Sequence, residues 1–230
     1  MKIERPELII SRRGFLSGLA LGGGALATSS LFYNTPGAFA EELLKTPQQG
    51  EGPFYPDKLP LDTDNDLIVI NEKITPAVGK ITHLSGRVLD VNGKPVRGAV
   101  VEIWQSDTNG SYIHTKGRKE KVDGNFQGFG RFLTGRKGEY YFRTILPVRY
   151  SGRTPHIHFL VRRGKDRLLT SEFYIKGEKR NAKDPVFSRI KDKKAQELVL
   201  VKFRPMKGSK TEELVAKANI VVGLTPEAEA

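Results

Sequence analysis

Residues 85–105 read SGRVLDVNGKPVRGAVVEIWQ, two apolar segments that flank a turn sequence. Asn92-Gly93 is the strongest short-range signal for a β-hairpin turn, because both residue types adopt the positive φ angles that a two-residue loop requires. The β-branched residues on either side favour an extended backbone. We therefore predict strands over Ser85–Val91 and Pro95–Gln105, joined by this turn.

The same pattern of short apolar segments between turn residues continues along the chain. It predicts further strands over Glu139–Leu146, His156–Arg163, Leu168–Ile175, Gln196–Phe203 and Ala218–Val222. Helical signal is limited to short pieces near residues 185–195 and 210–217. Many short strands with glycine and proline turns predict an all-β protein built as a β-sandwich.

The first forty residues are typical of a targeting segment. Ser11-Arg12-Arg13-Gly14-Phe15-Leu16 places paired arginines ahead of an apolar run rich in glycine and alanine, and Ala38-Phe39-Ala40 supplies small residues for a signal peptidase. This resembles a twin-arginine export signal, which predicts a periplasmic or extracellular protein. The run is long enough to act as a membrane anchor instead, but its glycines and the cleavage site favour removal, so no stable membrane span is expected.

The rest of the chain divides into an arm and a domain. Residues 41–80 contain several prolines and predict an extended N-terminal arm over a sandwich domain at residues 81–230. The chain has no cysteine and a formal net charge of +12. An exported protein of this kind has no disulfides. Its basic clusters are interrupted by acidic residues and lack interleaved aromatics, so nucleic-acid binding is not predicted.

A pair of histidines is the most informative chemical feature. His156 and His158 lie on one predicted strand and therefore on the same face, where both imidazoles can reach one metal ion. Tyr150 and Tyr112 offer phenol oxygens, which suit a highly charged cation such as ferric iron. The nearest carboxylate along the chain, Asp166, lies beyond the strand, so no two-histidine, one-carboxylate site is indicated. An isolated pair of strand histidines is often unligated, and that alternative stays open on these residues alone.

Several other sequence motifs, besides the histidine pair, are informative. In chain order they are Glu51-Gly52-Pro53-Phe54-Tyr55-Pro56, Gly110-Ser111-Tyr112, Phe129-Gly130-Arg131-Phe132, Gly138-Glu139-Tyr140-Tyr141 and the segment from Tyr150 to His158. Together, over about residues 46–178, they resemble the intradiol ring-cleavage dioxygenases, of the protocatechuate 3,4-dioxygenase beta-like or secreted single-domain type. The resemblance implies a prealbumin-like β-sandwich with an extended N-terminal arm and few short helices.

The resemblance also implies a metal site and a reaction. Tyr112, Tyr150, His156 and His158 match the family's ligands to non-haem Fe(III). The implied substrates are a small-molecule catechol and O2, and cleavage between the two hydroxylated carbons gives a cis,cis-muconate-type diacid. Tyr150 is implied to leave the metal when substrate binds and to take up a substrate proton, while Tyr112 stays bound.

Two further residues are candidates for the catalytic site. Arg153 matches the family's active-site arginine, whose permanent charge can stabilise negative charge on the ring. Glu172 stands where the family usually has glutamine. A carboxylate there changes the electric field near the substrate and leaves the preferred catechol open.

Two other interpretations remain. One is a non-catalytic, prealbumin-like exported binding module, which would share the sandwich and the Gly93-Lys94-Pro95-Val96 turn but would need no tyrosine and histidine ligands. The other is a metal-free relative of the enzymes, suggested by Glu172. Iron content separates both from a dioxygenase. A homo- or hetero-oligomer is compatible with the resemblance.

Overall fold

The computed structural model describes residues 42–70 and 75–223, and these contain ten strands and one α-helix. The elements are β1 (Ile81–Leu89), β2 (Val100–Trp104), β3 (Phe129–Leu133), β4 (Glu139–Ile145), β5 (His156–Arg163), β6 (Asp166–Ile175), α1 (Lys193–Val199), β7 (Leu200–Val201), β8 (Phe203–Pro205), β9 (Leu214–Lys217) and β10 (Ile220–Val221). Three single-turn 3₁₀ helices lie at Thr115–Gly117, Asn181–Lys183 and Phe187–Arg189. The prediction of an all-β fold with few short helices is confirmed.

The strands form two sheets that pack as a sandwich. One sheet has the order β10-β1-β9-β8, with β4 paired to β1, and the other has the order β3-β2-β5-β6-β7. Alternate residues of both sheets point inward, and Leu84, Ile103, Phe142, Phe159 and Phe173 are fully buried between them. Each such side chain contributes about 1.5–3 kcal/mol through its removal from water. This core makes β5 and β6, which carry the histidines and Glu172, a rigid platform.

The hairpin prediction over residues 85–105 is wrong in its extent. The turn itself is present: Gly93 has φ +76°, and the Val96 amide donates to the Val88 carbonyl at 2.9 Å. Asp90 supports it by accepting the Lys94 amide at 2.7 Å. However, β1 and β2 belong to different sheets, and β2 starts only at Val100. The Asn92-Gly93 sequence predicts the geometry of the turn but not how far the strands on either side pair with each other. In this fold the turn is a corner where the chain passes from one sheet to the other.

The C-terminal region holds two further corrections. The predicted strand over Gln196–Phe203 is confirmed only in its second half, where β7 and the start of β8 lie. Its first half is the end of helix α1, because Asp192 caps that helix by accepting the Lys194 amide at 2.8 Å and the helix residues are mainly good helix formers. Helical structure predicted near residues 210–217 is instead β9, which pairs with β1 and β8. The final strand is confirmed at Ile220–Val221.

The segment before β1 contains no helix and no strand within residues 42–70 and 75–80. Backbone hydrogen bonds attach it to both sheets: the Thr46 amide donates to Val221 at 3.0 Å, and the Gln49 amide donates to Thr170 at 2.8 Å. This route brings residues 52–55 to the end of the sandwich that holds the histidines. The predicted export signal lies outside the described residues. Within those residues no helix is long and apolar enough to cross a membrane.

Candidate metal centre

The two histidines of β5 meet at a single point. Their Nε2 atoms are 3.1 Å apart, and both side chains are almost completely buried. Nδ1 of His156 donates to the Thr154 carbonyl at 2.6 Å, which leaves its Nε2 as an acceptor. Burial lowers the pKa of both imidazoles, most strongly at His158. Two neutral rings that direct ring nitrogens at one position form a site suited to a cation.

Both predicted tyrosines reach the same position. The Tyr150 hydroxyl is 3.3 Å from Nε2 of His156, and the Tyr112 ring packs edge-on against Tyr150, with ring centroids 5.0 Å apart. The Tyr112 hydroxyl is buried and interacts with the Tyr150 hydroxyl, but it makes no hydrogen bond of normal geometry among the described residues. Burial raises the pKa of both phenols, that of Tyr112 well above its usual value. Leaving a buried hydroxyl unpaired costs about 1–3 kcal/mol, so this atom favours a ligand that is bound there.

Two tight turns place these phenols. Gly110 has φ +73°, and a Cβ atom there would lie 2.9 Å from Cβ of Tyr150, so only glycine lets the Tyr112 loop approach this closely. A second turn covers Tyr150 to Arg153, whose amide donates to the Tyr150 carbonyl at 2.8 Å. Ser151 adopts φ +43° in this turn, a conformation that costs free energy in a residue other than glycine. The turn sets Tyr150 and Arg153 beside each other.

Arg153 is held between two buried carboxylates. Its Nε donates to Oδ2 of Asp184 at 2.8 Å, and its Nη2 donates to Oε2 of Glu172. Burial alone would lower the pKa of Arg153, but these two carboxylates raise it, so the guanidinium stays charged. Asp184 also accepts the Thr154 and Phe187 amides, at 2.9 and 3.0 Å. Sequence reasoning missed Asp184, because it lies far from Arg153 along the chain.

Glu172, which the family resemblance placed at the catalytic site, lies next to the histidines, although the sequence adjoining them indicated no carboxylate ligand. His156, His158 and Glu172 offer ligand atoms within 4.8 Å of one another. Counting from the pairing of Arg163 with Asp166 would set Ser171 opposite His158. A bulge between Val161 and Arg162 shifts the register by one residue, so Glu172 is opposite instead. The strand pattern did not indicate this bulge, so it could not be predicted.

Aromatic side chains surround the centre. Trp104, which sequence reasoning would assign to the core, stacks on His158 with ring centroids 4.9 Å apart and ring planes 3° from parallel. Tyr55 packs edge-on against Trp104 at 5.0 Å, and Phe54 lies 5.0 Å from Tyr112. The arm therefore contributes a wall of the site. Phe54 had no assigned role in the sequence, although it belongs to the Gly52-Pro53-Phe54 motif.

A separate cavity of about 330 Å³ borders Tyr112 from the side of Leu61, Val122 and Phe126. Neither Tyr150 nor the histidines line it among the described residues. The cavity therefore borders the loop that carries Tyr112 and is separate from the position where the four donor side chains meet.

All six residues predicted from sequence thus lie together, on two strands and two adjoining loops. Comparisons with known proteins identify related chains. A family model described as Dioxygenase matches residues 50–216. The protocatechuate 3,4-dioxygenase beta chain of Burkholderia cepacia is 37% identical over 133 residues, which cover 54% of this chain and 57% of that protein. The protocatechuate 3,4-dioxygenase alpha chain of Pseudomonas putida is 31% identical over 175 residues, which cover 70% of this chain and 85% of that protein.

The chain is also similar to solved structures of dioxygenases. The dioxygenase domain of a dioxygenase carbohydrate-binding protein fusion from Streptomyces sp. SirexAA-E is 30% identical, with a TM-score of 0.60, over 79% of this chain and 99% of that chain. The chain spans about half the length of several curated relatives that it matches. The family match nevertheless covers β1 to β8, most of β9 and every residue of the centre. The chain belongs to the intradiol ring-cleavage dioxygenase family.

Proposed function

We propose that this chain is a ferric-iron dioxygenase that cleaves a small catechol between its two hydroxylated carbons, with O2, to a cis,cis-muconate-type diacid. The observation that carries the proposal is the convergence of two phenol oxygens and two imidazole nitrogens on one buried position. At this position the buried Tyr112 hydroxyl makes no hydrogen bond of normal geometry in the described part of the chain.

The donor set fits iron in this oxidation state. Tyr112, Tyr150, His156 and His158 would hold the ion, since phenolate oxygens suit a hard trivalent cation and imidazoles suit iron generally. A cation would also satisfy the unpaired Tyr112 hydroxyl and separate the two Nε2 atoms, which lie only 3.1 Å apart. When bound, the iron supplies the redox chemistry that allows an aromatic ring to react with dioxygen.

Tyr150 is the residue best placed to move a proton. It is the least buried of the four donors, at 7% exposure, and it lies on the turn that ends at Arg153 rather than on a strand. A phenolate released on this turn is a strong base, because burial raises the pKa of Tyr150. It accepts the proton of a catechol hydroxyl as that oxygen enters the site.

Arg153 supplies fixed positive charge beside the reacting ring. Its ion pairs with Asp184 and Glu172 immobilise the guanidinium, so no reorganisation is needed when negative charge develops on the substrate. Phe54 and Trp104 exclude water from the two tyrosines and His158, which strengthens these interactions.

Glu172 is compensated by Arg153, and this bears on substrate choice. A free carboxylate facing the ring would disfavour catechols that carry their own carboxylate. Because Glu172 is paired with Arg153 and accepts the Tyr174 hydroxyl at 2.6 Å, that local repulsion is reduced. The net charge of +12 then favours the approach of anionic catechols to the protein. We propose in addition that the twin-arginine segment exports the protein from the cytoplasm.

The direct test is product analysis under labelled oxygen. Iron-loaded protein is incubated with catechol, protocatechuate and hydroxyquinol under ¹⁸O2, and the products are identified by mass spectrometry. We expect a ring-opened diacid that contains two ¹⁸O atoms from at least one substrate. Tight binding of a catechol without any ring opening, by iron-loaded protein, would support the binding module instead.

A further inference from the structure

Glu102 is a buried carboxylate that the proposed mechanism does not use. It lies on β2 two residues before Trp104, so both side chains point to the same face of the sheet. The alternate residues Val101 and Ile103 belong to the core between the sheets, so Glu102 and Trp104 point to the outer face. Both are nevertheless fully buried. A part of the chain other than the opposite sheet must therefore cover them.

The cover is Tyr55, which belongs to the arm. Its hydroxyl donates to Oε2 of Glu102 at 2.9 Å, and its ring packs edge-on against Trp104 with ring centroids 5.0 Å apart. Arg162 donates to the Tyr55 hydroxyl at 3.1 Å and to Oε2 of Glu102 at 2.7 Å, while Arg131 donates to Oε1 at 2.7 Å. Both arginine side chains are partly exposed, so this network ties the arm to the sheet near the protein surface.

The preceding residues of the arm lie against three of the four donor side chains. The ring centroid of Phe54 is 5.0 Å from that of Tyr112 and 6.0 Å from that of Tyr150. Gly52 has φ +72°, and a Cβ atom there would lie 3.4 Å from Cε1 of His158. The hydrogen bond that holds the end of this segment therefore sets how closely the segment covers the metal centre.

We propose that Tyr55 is a positioning residue whose hydroxyl, held by Glu102, fixes residues 52–54 over the four donors and thereby controls access to the metal centre. The inference rests on the proposed function, since it takes the four donors to be a metal site. The other end of the segment is held separately, because Gln49 donates to the Tyr174 hydroxyl at 2.9 Å. Loss of the Tyr55 hydrogen bond therefore releases one end of the segment and not the whole arm.

Tyr55→Phe isolates this hydrogen bond. The variant keeps the ring that packs on Trp104, and Glu102 keeps its ion pairs with Arg131 and Arg162, so no charge is left unpaired. Removing a hydrogen bond to a charged group should raise the population of protein with a detached segment by about 10- to 100-fold.

Trp104 reports this detachment in metal-free protein, because it is the only tryptophan in the chain. Its indole N–H is buried and makes no hydrogen bond among the described residues, so burial alone protects it from hydrogen exchange. Local opening exposes such a group without global unfolding. We expect indole exchange, followed by NMR after transfer to D2O, to be about 10- to 100-fold faster in Tyr55→Phe, with amide exchange in β5 unchanged.

The matched control is Tyr140→Phe, which removes a buried hydroxyl that donates to the Ala218 carbonyl, away from the arm. Its indole exchange should equal that of wild type. An unchanged indole rate in Tyr55→Phe, or equal acceleration in both variants, would overturn the proposal.

A second measurement uses the iron-loaded protein and an excess of an Fe(III) chelator. We expect Tyr55→Phe to lose iron about 10- to 100-fold faster than wild type and to keep its visible absorption, because all four donors are intact. Equal rates of iron loss would contradict control of access by Tyr55. A wild type that binds no iron would instead contradict the proposed function, while indole exchange would still test whether Tyr55 holds the arm in place.

Discussion

The Tyr112 hydroxyl is a buried polar atom that makes no hydrogen bond of normal geometry in the described part of the chain. In metal-free protein this is a cost of about 1–3 kcal/mol. We therefore expect Tyr112→Phe to increase the free energy of unfolding of the metal-free protein by about that amount, measured by urea denaturation. Iron should reverse the order, because only wild type gains the phenolate bond.

The control is Tyr140→Phe. This ring is equally buried, but its hydroxyl donates to the Ala218 carbonyl at 2.6 Å. Its removal should lower the free energy of unfolding by about 0.5–1.5 kcal/mol, with or without iron. If Tyr112→Phe destabilises metal-free protein as Tyr140→Phe does, the Tyr112 hydroxyl has a partner and the account of the site is incorrect.

Arg153 forms ion pairs with two buried carboxylates, so its removal should be costly. We expect Arg153→Met to lower the free energy of unfolding by about 3–5 kcal/mol at neutral pH, because it leaves Glu172 and Asp184 uncompensated. Arg143→Met, which breaks a partly exposed pair with Asp66, should cost about 0–1 kcal/mol. Equal losses in the two variants would argue against a buried ion-pair network.

The ion pair between Arg153 and Asp184 also predicts that the stability of the protein depends on pH. Burial would raise the pKa of Asp184, but the hydrogen bonds from Arg153 and from backbone amides lower it overall. A carboxyl group with a lowered folded pKa stabilises the protein fully above its unfolded pKa of about 3.9, and this contribution is lost as the pH falls through the folded value. The stability difference between wild type and Arg153→Met should therefore shrink below about pH 4. A difference that stays constant to pH 2 would contradict this assignment.

At the scale of elements, the loop that carries Tyr112 depends on one glycine. Gly110→Ala would put a methyl group 2.9 Å from Cβ of Tyr150 in a backbone conformation of φ +73°, so we expect the two tyrosines to move apart. Iron affinity should fall at least 10-fold, measured by chelator competition. Gly208→Ala has a similar φ, +78°, and open space around its added methyl group, so it should cost stability alone, about 1–2 kcal/mol. Unchanged iron affinity in Gly110→Ala would show that the loop tolerates the displacement.

The strands and turns also show which structural features can be predicted from the sequence. His156 and His158 were predicted to share a face because that follows from strand alternation within one segment. Glu172 was predicted at the site only through the family resemblance; its position opposite His158 could not be predicted from the strand pattern, since it depends on a bulge that shifts the pairing of β5 and β6 by one residue. The separation of β1 and β2 into two sheets was missed because the Asn92-Gly93 turn looks the same in a hairpin and in a corner.

For the whole molecule, the β-sandwich could be predicted because alternation and turn residues recur along the chain. The path of the arm could not, since its contacts join residues more than a hundred positions apart. One of them is the 3.0 Å hydrogen bond from the Thr46 amide to Val221. This path explains why Phe54 reaches Tyr112 without any local signal for it.

Export is a property of the full chain that the folded domain does not report. Replacing Arg12 and Arg13 with lysines keeps the charge but removes the paired guanidinium groups. We expect precursor to accumulate in the cytoplasm, while the wild-type protein is found outside it, shortened by the signal segment. Fractionation with immunoblotting measures this. Normal export of the double variant would point to the general secretory route.

The proposed function requires that two phenolates and two imidazoles hold one ferric ion. Iron content and visible absorption of the purified, iron-loaded protein test it most directly. The account predicts about one iron per chain and a visible band from tyrosinate-to-iron charge transfer, which shifts or disappears in Tyr112→Phe and is unchanged in Tyr140→Phe. A colourless wild-type protein that takes up zinc as readily as iron, or a band unaffected by Tyr112→Phe, would contradict it.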